Sequence, residues 1–188
     1  DEASNLIVEG ISVNSTALLD LSDANNPKAL GNPTEGALLL WLNKHNINFE
    51  KIKENAERVD EIPFSTERKY MASLVRSQYL NGKKVLYLKG APEIVLALCS
   101  NIAGGETKHS INETLLKYQN QAMRTLAFAY QIVEDGDVVI NDGKLTADNL
   151  TFMGVVAIAD PVREEVPDAV NSCIEAGIDI KIVTGDTT

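Results

Sequence analysis

One junction in this sequence combines residue types that suit an anionic ligand. The apolar run at 85–88 predicts a strand, and it ends on Lys89 and Gly90. Ala91-Pro92-Glu93 follows, with proline where it favours the first turn of a helix. An ammonium group, a backbone without a side chain and the positive end of a helix would therefore meet at one point, which suits a phosphate group. We predict a nucleotide site here.

A second set of polar residues follows two predicted strands near the C-terminus. The apolar runs at 152–159 and 178–183 are separated by a predicted helix at about 163–176, the pattern of a βαβ unit. Asp160 follows the first strand and Thr184-Gly185-Asp186 the second. Open α/β sheets bind ligands at the carboxyl ends of parallel strands, and hydroxyl, amide and carboxylate groups suit phosphate and a hard cation.

The elements of the first 150 residues predict an α+β domain with an antiparallel sheet flanked by helices. Asn32-Pro33-Thr34-Glu35 has a cap residue, proline at the first helical position and glutamate at the third, which predicts a helix start with a capping box. Asn81-Gly82 between the apolar runs at 71–75 and 85–88 predicts a β-hairpin. The second strand of this hairpin leads to the lysine junction.

Two further elements belong to the same domain. Ser110-Ile111-Asn112-Glu113 is a second candidate capping box and predicts a helix that runs to about Met123. Residues 125–133 predict a strand, so Arg124 stands at the corner between helix and strand. The acidic stretch 134–144 predicts a loop or an exposed hairpin.

The change of pattern at about residue 150 predicts two domains in one α/β chain. Residues 1–150 would form the α+β domain, and residues 151–188 a fragment of a second domain, because the next helix of the βαβ pattern is missing. The fragment would leave strand edges and an apolar face uncovered. We expect it to pack abnormally, to pair with another copy or to be partly disordered.

Composition excludes several classes of partner. With 27 acidic and 17 basic residues among 188, the net charge is −10, which repels nucleic acid and anionic membranes. Cys99 and Cys173 stand far apart in apolar stretches, which predicts buried free thiols and a reducing compartment. No apolar stretch reaches the roughly 18 residues of a membrane span. The first residue, Asp1, suggests a piece of a longer protein.

Five runs, in this order, resemble the nucleotide-binding domain of P-type cation-transporting ATPases, with the closest likeness to the calcium-pump branch. The resemblance extends from Asn14 to the C-terminus. The runs are Gly31-Asn32-Pro33-Thr34-Glu35-Gly36-Ala37-Leu38-Leu39, Pro63-Phe64-Ser65-Thr66-Glu67-Arg68-Lys69-Tyr70-Met71, Lys89-Gly90-Ala91-Pro92-Glu93, Met123-Arg124-Thr125-Leu126-Ala127, and the pair Asp160-Pro161-Val162-Arg163 and Thr184-Gly185-Asp186. The resemblance implies an ATP-binding first domain at 1–150. It implies a hinge and part of a Rossmann-like phosphorylation domain of the haloacid-dehalogenase type at 151–188.

At the adenine end of the nucleotide, the resemblance implies four contacts. Phe64 would stack on the base, although the residue type alone favours a core position. Glu35 would accept a hydrogen bond from the exocyclic amine, although a capping box alone explains a glutamate there. Lys89 and Gly90 would line the adenine pocket, with Gly90 letting the ring approach the backbone, so the lysine junction would meet the base rather than the phosphates.

At the phosphate end, the resemblance assigns two cations. Lys69 would reach the nucleotide near adenine and phosphates, where residue type alone predicts a solvated lysine at a strand end. Arg124 would contact the phosphates, although a cation also suits the end of a helix. Thr125 stands where calcium pumps often carry cysteine, which removes a thiol and leaves the guanidinium contact intact.

The resemblance assigns the C-terminal motifs to the hinge between domains. Asp160 and Arg163 belong to that hinge, in which Val162 replaces the usual second proline. Asp160 would lie near the ribose and phosphates. Thr184, Gly185 and Asp186 would lie around the γ-phosphate and its Mg²⁺ when the domains close.

The motifs that the sequence lacks limit what this chain does alone. It has no Asp-Lys-Thr-Gly-Thr phosphorylation motif, no Gly-Asp-Gly-x-Asn-Asp metal motif and no Walker A loop. Without an aspartyl nucleophile, phosphoryl transfer has no acceptor, so we expect ATP or ADP binding without turnover. We expect the whole protein, with its actuator, phosphorylation and transmembrane domains, to couple an aspartyl phosphate to cation transport, with Ca²⁺ as the cation. This domain would lie on the cytoplasmic face of the membrane.

Two other classes of function stay open on the sequence. The βαβ pattern suits a soluble phosphohydrolase of the haloacid-dehalogenase superfamily, although no Asp-x-Asp motif precedes it at a strand end. An acidic soluble domain can also be a noncatalytic interaction module. Adenine-nucleotide binding through Phe64 and Lys89 would separate a pump domain from such a module.

Overall fold

The computed structural model describes residues 2–23, 26–159 and 165–181. The predicted hinge and phosphate-region residues lie outside these ranges. They are Asp160, Arg163, Thr184, Gly185 and Asp186.

The chain folds into helices and strands of mixed order. In sequence they are α1 (Glu2–Val13), β1 (Leu18–Asp20), β2 (Lys28–Leu30), α2 (Pro33–Lys44), α3 (Phe49–Asn55), β3 (Glu57–Ile62), β4 (Tyr70–Arg76), β5 (Lys84–Gly90), α4 (Pro92–Leu98), β6 (Asn101–Ile102), α5 (Lys108–Gln119), β7 (Arg124–Val133), β8 (Ile140–Asn141), β9 (Lys144–Leu145), β10 (Thr151–Ile158) and α6 (Glu165–Glu175). The predicted class, a sheet flanked by helices, is confirmed.

A six-stranded sheet forms the centre of the fold, with strand order β3-β4-β5-β7-β10-β6. Its strand pairs are antiparallel except for the short pairing of β10 with β6. The predicted hairpin is β4–β5, in which Tyr70 pairs with Gly90. Asn81 and Gly82 turn between the two strands with φ angles of 53° and 79°, the left-handed conformation that this dipeptide tolerates.

Both faces of the sheet are packed against helices. Alternate side chains of β5 point to opposite faces, so Val85 and Tyr87 pack beneath α1 while Leu86 and Leu88 pack against α4 and α5. A further buried cluster joins α2 to β7 through Phe128. The apolar run that the sequence places in β5 is therefore buried on both sides.

Helix α5 begins earlier than the sequence predicts. Thr107 is its N-cap, and the side chain of Ser110 bonds back to the Thr107 backbone, so the capping box is Thr107–Ser110. The predicted box starting at Ser110 was wrong, because the side-chain hydroxyls of Thr107 and Ser110 each accept a hydrogen bond from the other residue's backbone amide. The helix ends at Gln119 rather than near Met123.

Strand β10 lies in the main sheet. It pairs antiparallel with β7, with Ile158 opposite Arg124, and the first compact unit of the chain therefore runs to Ile158. The second unit, Ala159–Thr188, contains the predicted helix as α6. The described residues 178–181 are not in a strand. The predicted parallel pairing is not confirmed, since the long partner of β10 is β7 and residues 182 and 183 of the predicted second strand lie outside the described ranges.

The cysteines and the helices bear on two sequence expectations. Both thiols are free, and burial raises the pKa of Cys99 to about 11. Cys173 is partly exposed, so the expectation of two buried thiols holds only for Cys99. In the ranges that the structure describes, no helix has the length and apolar character needed to cross a membrane.

Helix α1 is joined to the sheet by a buried polar contact. The Tyr87 hydroxyl donates to Oε2 of Glu9 at 2.6 Å, and the amide of Gln78 donates to Oε1 at 3.1 Å. Both side chains are almost fully buried. Burial, together with the hydrogen bond to Glu9, raises the pKa of Tyr87, so the hydroxyl keeps its proton for donation.

We predict that Tyr87→Phe destabilises the protein by about 1–3 kcal/mol, because the buried Glu9 carboxyl loses a donor that water cannot replace. The measurement is the free energy of unfolding by chemical denaturation. Tyr130→Phe is a matched control, since Tyr130 lies opposite Tyr87 in β7 and its ring is partly exposed. Equal stability of the two variants would contradict the prediction.

Candidate functional site

One cavity brings the predicted nucleotide-binding residues together. Its volume is about 510 Å³, and it lies where β4, β5 and β7 meet the start of α2. All six residues proposed from the sequence line it, namely Glu35, Phe64, Lys69, Lys89, Gly90 and Arg124. The other lining residues are Thr16, Asn32, Thr34, Met71, Ala91, Thr125 and Leu126.

A buried ion pair closes the inner end of the cavity. Nζ of Lys89 lies 2.7 Å from Oε1 of Glu35, and the two side chains are only 4% and 9% exposed. The same ammonium donates to the carbonyl oxygen of Asn14. Its charge is thus neutralised inside the protein. The phosphate role that the lysine junction suggested is therefore not supported for Lys89.

Glu35 does not complete the predicted capping box. The Asn32 side chain caps α2 by accepting from the amides of Thr34 and Glu35, as expected. The Glu35 carboxylate instead turns to the segment after α1, where Oε2 accepts from the Thr16 amide at 2.8 Å, the Thr16 hydroxyl at 2.8 Å and the Ala17 amide at 3.0 Å. The carboxylate therefore binds Lys89 and these amides instead of the backbone amide of Asn32.

Cationic side chains also donate hydrogen bonds to backbone carbonyl groups at the end of α1 and in the segment after it. Arg58 donates to the carbonyl of Val13 at 2.9 Å, and Lys53 donates to that of Ser15 at 2.9 Å, on either side of the carbonyl that Lys89 contacts. These carbonyls lie at and just after the negative end of α1, where positive charge is favourable. The segment from Val13 to Ala17 is thereby fixed against the wall of the cavity.

The pair perturbs the ionisation of both its members. Burial by itself raises the pKa of Glu35, but the charge of Lys89 and the hydrogen bonds from Lys89 and Thr16 outweigh it and hold that pKa below its ordinary value. Burial lowers the pKa of Lys89, and attraction to Glu35 opposes this shift. Glu35 is therefore an ionised carboxylate that only accepts hydrogen bonds at neutral pH.

Gly90 is required by the protein itself rather than by a ligand alone. A Cβ atom there would lie 2.4 Å from the carbonyl oxygen of Lys69 and 2.6 Å from Cβ of Tyr70. The amide of Ala91 also donates to the Lys69 carbonyl at 2.9 Å. The space beside Gly90, which we expected an adenine ring to approach, is thus occupied by Lys69 and Tyr70 at the start of the neighbouring strand.

Phe64 lies at the mouth of the cavity on a tight turn. Its side chain is 57% exposed, which rules out the core position that its residue type favours. Arg68 donates to the carbonyl of Pro63 at 2.8 Å, and the Lys69 amide donates to that of Ser65 at 2.8 Å. Lys69 has a φ of 59°, a left-handed conformation uncommon for lysine. The Phe64 ring is thus exposed to solvent beside this turn.

Two cations of the cavity remain available to an anion. Lys69 and Arg124 are exposed, and neither forms an ion pair with any residue that the structure describes. Arg124 begins β7, at the corner that the sequence predicted. The cavity therefore has a neutralised inner end and a cationic outer rim.

Sequence reasoning missed the residues that complete the cavity walls. Met71 and Leu126 belong to strands that the sequence identified, but only the strand pairing shows that they border the same space. Thr16 was missed because it follows α1, far from the other residues in sequence. The run Asn32-Pro33-Thr34 was interpreted only as a helix start. Within the described ranges, no group of three or more His, Cys, Asp or Glu is placed to hold a metal ion.

Comparisons with known proteins agree with this architecture. The sequence profile of the family described as "P-type ATPase, cytoplasmic domain N" matches residues 2–165. The chain belongs to the P-type ATPase family. It is 34% identical to a calcium-transporting ATPase of Dictyostelium discoideum, over 97% of this chain and 17% of that protein.

Relatives of the P-type ATPase chain occur in distant organisms. It is 34% identical to a calcium-transporting ATPase of Listeria monocytogenes, over 85% of this chain and 18% of the relative. It is 32% identical to the human plasma membrane calcium-transporting ATPase 4, over 97% of this chain and 16% of the relative. The chain thus spans about a sixth of the length of these proteins.

We predict that Lys89→Met destabilises the domain by about 3–5 kcal/mol, because it leaves the Glu35 carboxylate buried without its cation. The double variant Lys89→Met/Glu35→Gln should recover part of this loss. Denaturant unfolding of the wild type, both single variants and the double variant measures the coupling.

Lys84→Met is the matched control for Lys89→Met, since Lys84 begins the same strand and is only partly buried. It should change the stability by about 0.5 kcal/mol or less. Equal effects of Lys84→Met and Lys89→Met would show that the ion pair contributes nothing.

The lowered pKa of Glu35 predicts a pH dependence of stability. Stability linked to a depressed carboxyl pKa is complete above the unfolded value, 4.5, and is lost as the pH falls through the folded value. Glu35→Gln should therefore be less stable than the wild type near neutral pH, and the difference should shrink as the pH falls below about 4.5. Thermal unfolding over this range tests it. Glu134→Gln, at an exposed site, is the control for the loss of one carboxylate.

Proposed function

We propose that this chain is the adenine-nucleotide-binding domain of a calcium-transporting P-type ATPase. The observation that carries the proposal is the single cavity lined by all six residues chosen from the sequence for this role. Family membership supports ATP as the nucleotide. The domain would bind ATP or ADP and would not hydrolyse ATP by itself.

The charges in the cavity favour one orientation of the nucleotide. The Glu35 carboxylate repels phosphate from the inner end, where Lys89 is already neutralised. Lys69 and Arg124 attract phosphate at the outer rim. Phe64 offers an exposed aromatic face for stacking, and Met71 and Leu126 give apolar walls to the base. The base would therefore point inwards and the phosphates outwards.

For the whole protein, we propose ATP-driven transport of Ca²⁺ across a membrane through an aspartyl phosphate. The names of the relatives, calcium-transporting ATPases, support the choice of cation. The remaining domains of the pump would be the partners, Mg²⁺ would accompany ATP, and this domain would lie on the cytoplasmic face. We assign the residues that follow the first compact unit to the hinge and the phosphorylation domain. Pairing of two copies through this segment stays a prediction.

NMR amide shifts on titration with ATP, ADP and GTP, with and without Mg²⁺, test the nucleotide site. We expect shifts to cluster at the six cavity residues proposed from the sequence, ATP to resemble ADP, and both to bind more tightly than GTP. Phe64→Ala should cost about 1–3 kcal/mol of binding free energy, about a 5- to 150-fold rise in Kd, because stacking is lost.

Trp41→Ala is the matched control for this experiment. Trp41 is 47% exposed, similar to Phe64, and it does not line the cavity. Its loss should leave the Kd for ATP unchanged. Absence of nucleotide-dependent shifts at the cavity would refute the proposal and favour a noncatalytic interaction module.

A further inference from the structure

The Thr16 hydroxyl group at the cavity already donates its proton to a hydrogen bond within the protein. Thr16 lines the cavity and is exposed, while its Oγ1 donates to Oε2 of Glu35 at 2.8 Å. A hydroxyl has one proton to donate and two lone pairs that accept. With the proton directed at Glu35, Thr16 offers only an acceptor to a ligand.

The Glu35 carboxylate is fixed by several donors, so it costs free energy for the Thr16 hydroxyl to turn away from it and donate into the cavity. Oε2 also accepts from the amides of Thr16 and Ala17, and Oε1 is bound to Lys89. A hydroxyl that turned to donate into the cavity would break a charge-assisted hydrogen bond, which is about twice as strong as a neutral one. The polarity of Thr16 is therefore fixed by the protein before any ligand arrives.

This fixed acceptor distinguishes the two purines by chemistry. Adenine carries an amino group at position 6, which donates, whereas guanine carries an oxygen there, which accepts. An acceptor that faces the guanine oxygen leaves both groups without a hydrogen bond, and a binding site discriminates strongly through such unpaired polar groups.

We propose that Thr16 is the residue that selects adenine over guanine, its Oγ1 accepting a hydrogen bond from the exocyclic amine. Glu35 is then a positioning residue, because its carboxylate accepts the Thr16 proton and so sets the direction in which the hydroxyl donates. The inference rests on the proposed function, since it requires the base to enter the inner end of the cavity.

Nucleotide affinity of Thr16→Val tests the proposal, with Thr16→Ser as the matched control. Valine keeps the shape and the backbone amide that Glu35 binds but lacks the hydroxyl. ATP binding should weaken about threefold to tenfold in Thr16→Val, with GTP binding unchanged or tighter, so the preference for ATP falls. Thr16→Ser should retain the wild-type preference. Amide spectra without ligand check that each variant is folded.

Purine riboside triphosphate, which lacks the 6-amino group, isolates the contact. The wild type should bind it about threefold to tenfold more weakly than ATP, and Thr16→Val should bind it as the wild type does. Equal weakening of both ligands by Thr16→Val, with nucleotide binding retained, would overturn the role of Thr16 alone. Absence of any nucleotide binding by the wild type would overturn the proposed function as well. If valine unfolds the domain, the comparison of the two ligands on the wild type still decides, since equal affinities would exclude the contact.

Discussion

The buried pair of Lys89 and Glu35 is the interaction on which the inner end of the cavity depends. It joins the end of β5 to the first turn of α2, and through the carboxylate it also holds the segment that follows α1. Burying two charges is expensive unless their remaining hydrogen-bonding capacity is used. Here the Asn14 carbonyl, two amides and the Thr16 hydroxyl use it. One contact therefore organises three elements that are distant in sequence.

The pair also gives Lys89 a different role from the two other cations of the cavity. A lysine that neutralises a buried carboxylate contributes shape and polarity, whereas Lys69 and Arg124 keep their charge for an external anion. The cavity thus has an inner end suited to the edge of a base and a rim suited to phosphates. This division is notable in a chain of net charge −10, since only a local concentration of positive charge can attract an anion to it.

The same network fixes the segment that follows α1 at the wall of the cavity. Three consecutive carbonyls, from Val13 to Ser15, each receive a cationic donor, and the next two amides are held by Glu35. Residues 14–17, which belong to no helix or strand, are in this way fixed by hydrogen bonds. Preorganised polar groups of this kind cost no reordering when a ligand binds, which favours specificity.

The sequence by itself determined the local elements and the residue types of the site. Asn81-Gly82 defined the hairpin, and proline and Asn32 defined the start of α2. The first four family-like runs contain every residue that lines the cavity except Thr16. These signals are local, because turn and cap geometry depend on a few neighbouring residues. Only the tertiary structure decided the partner of β10, the destination of the Glu35 carboxylate and the hydrogen bond that Thr16 donates to it. An apolar run fits any flanked strand, and a carboxylate binds whichever donors the fold brings nearest, so both outcomes depend on contacts between residues far apart in the chain.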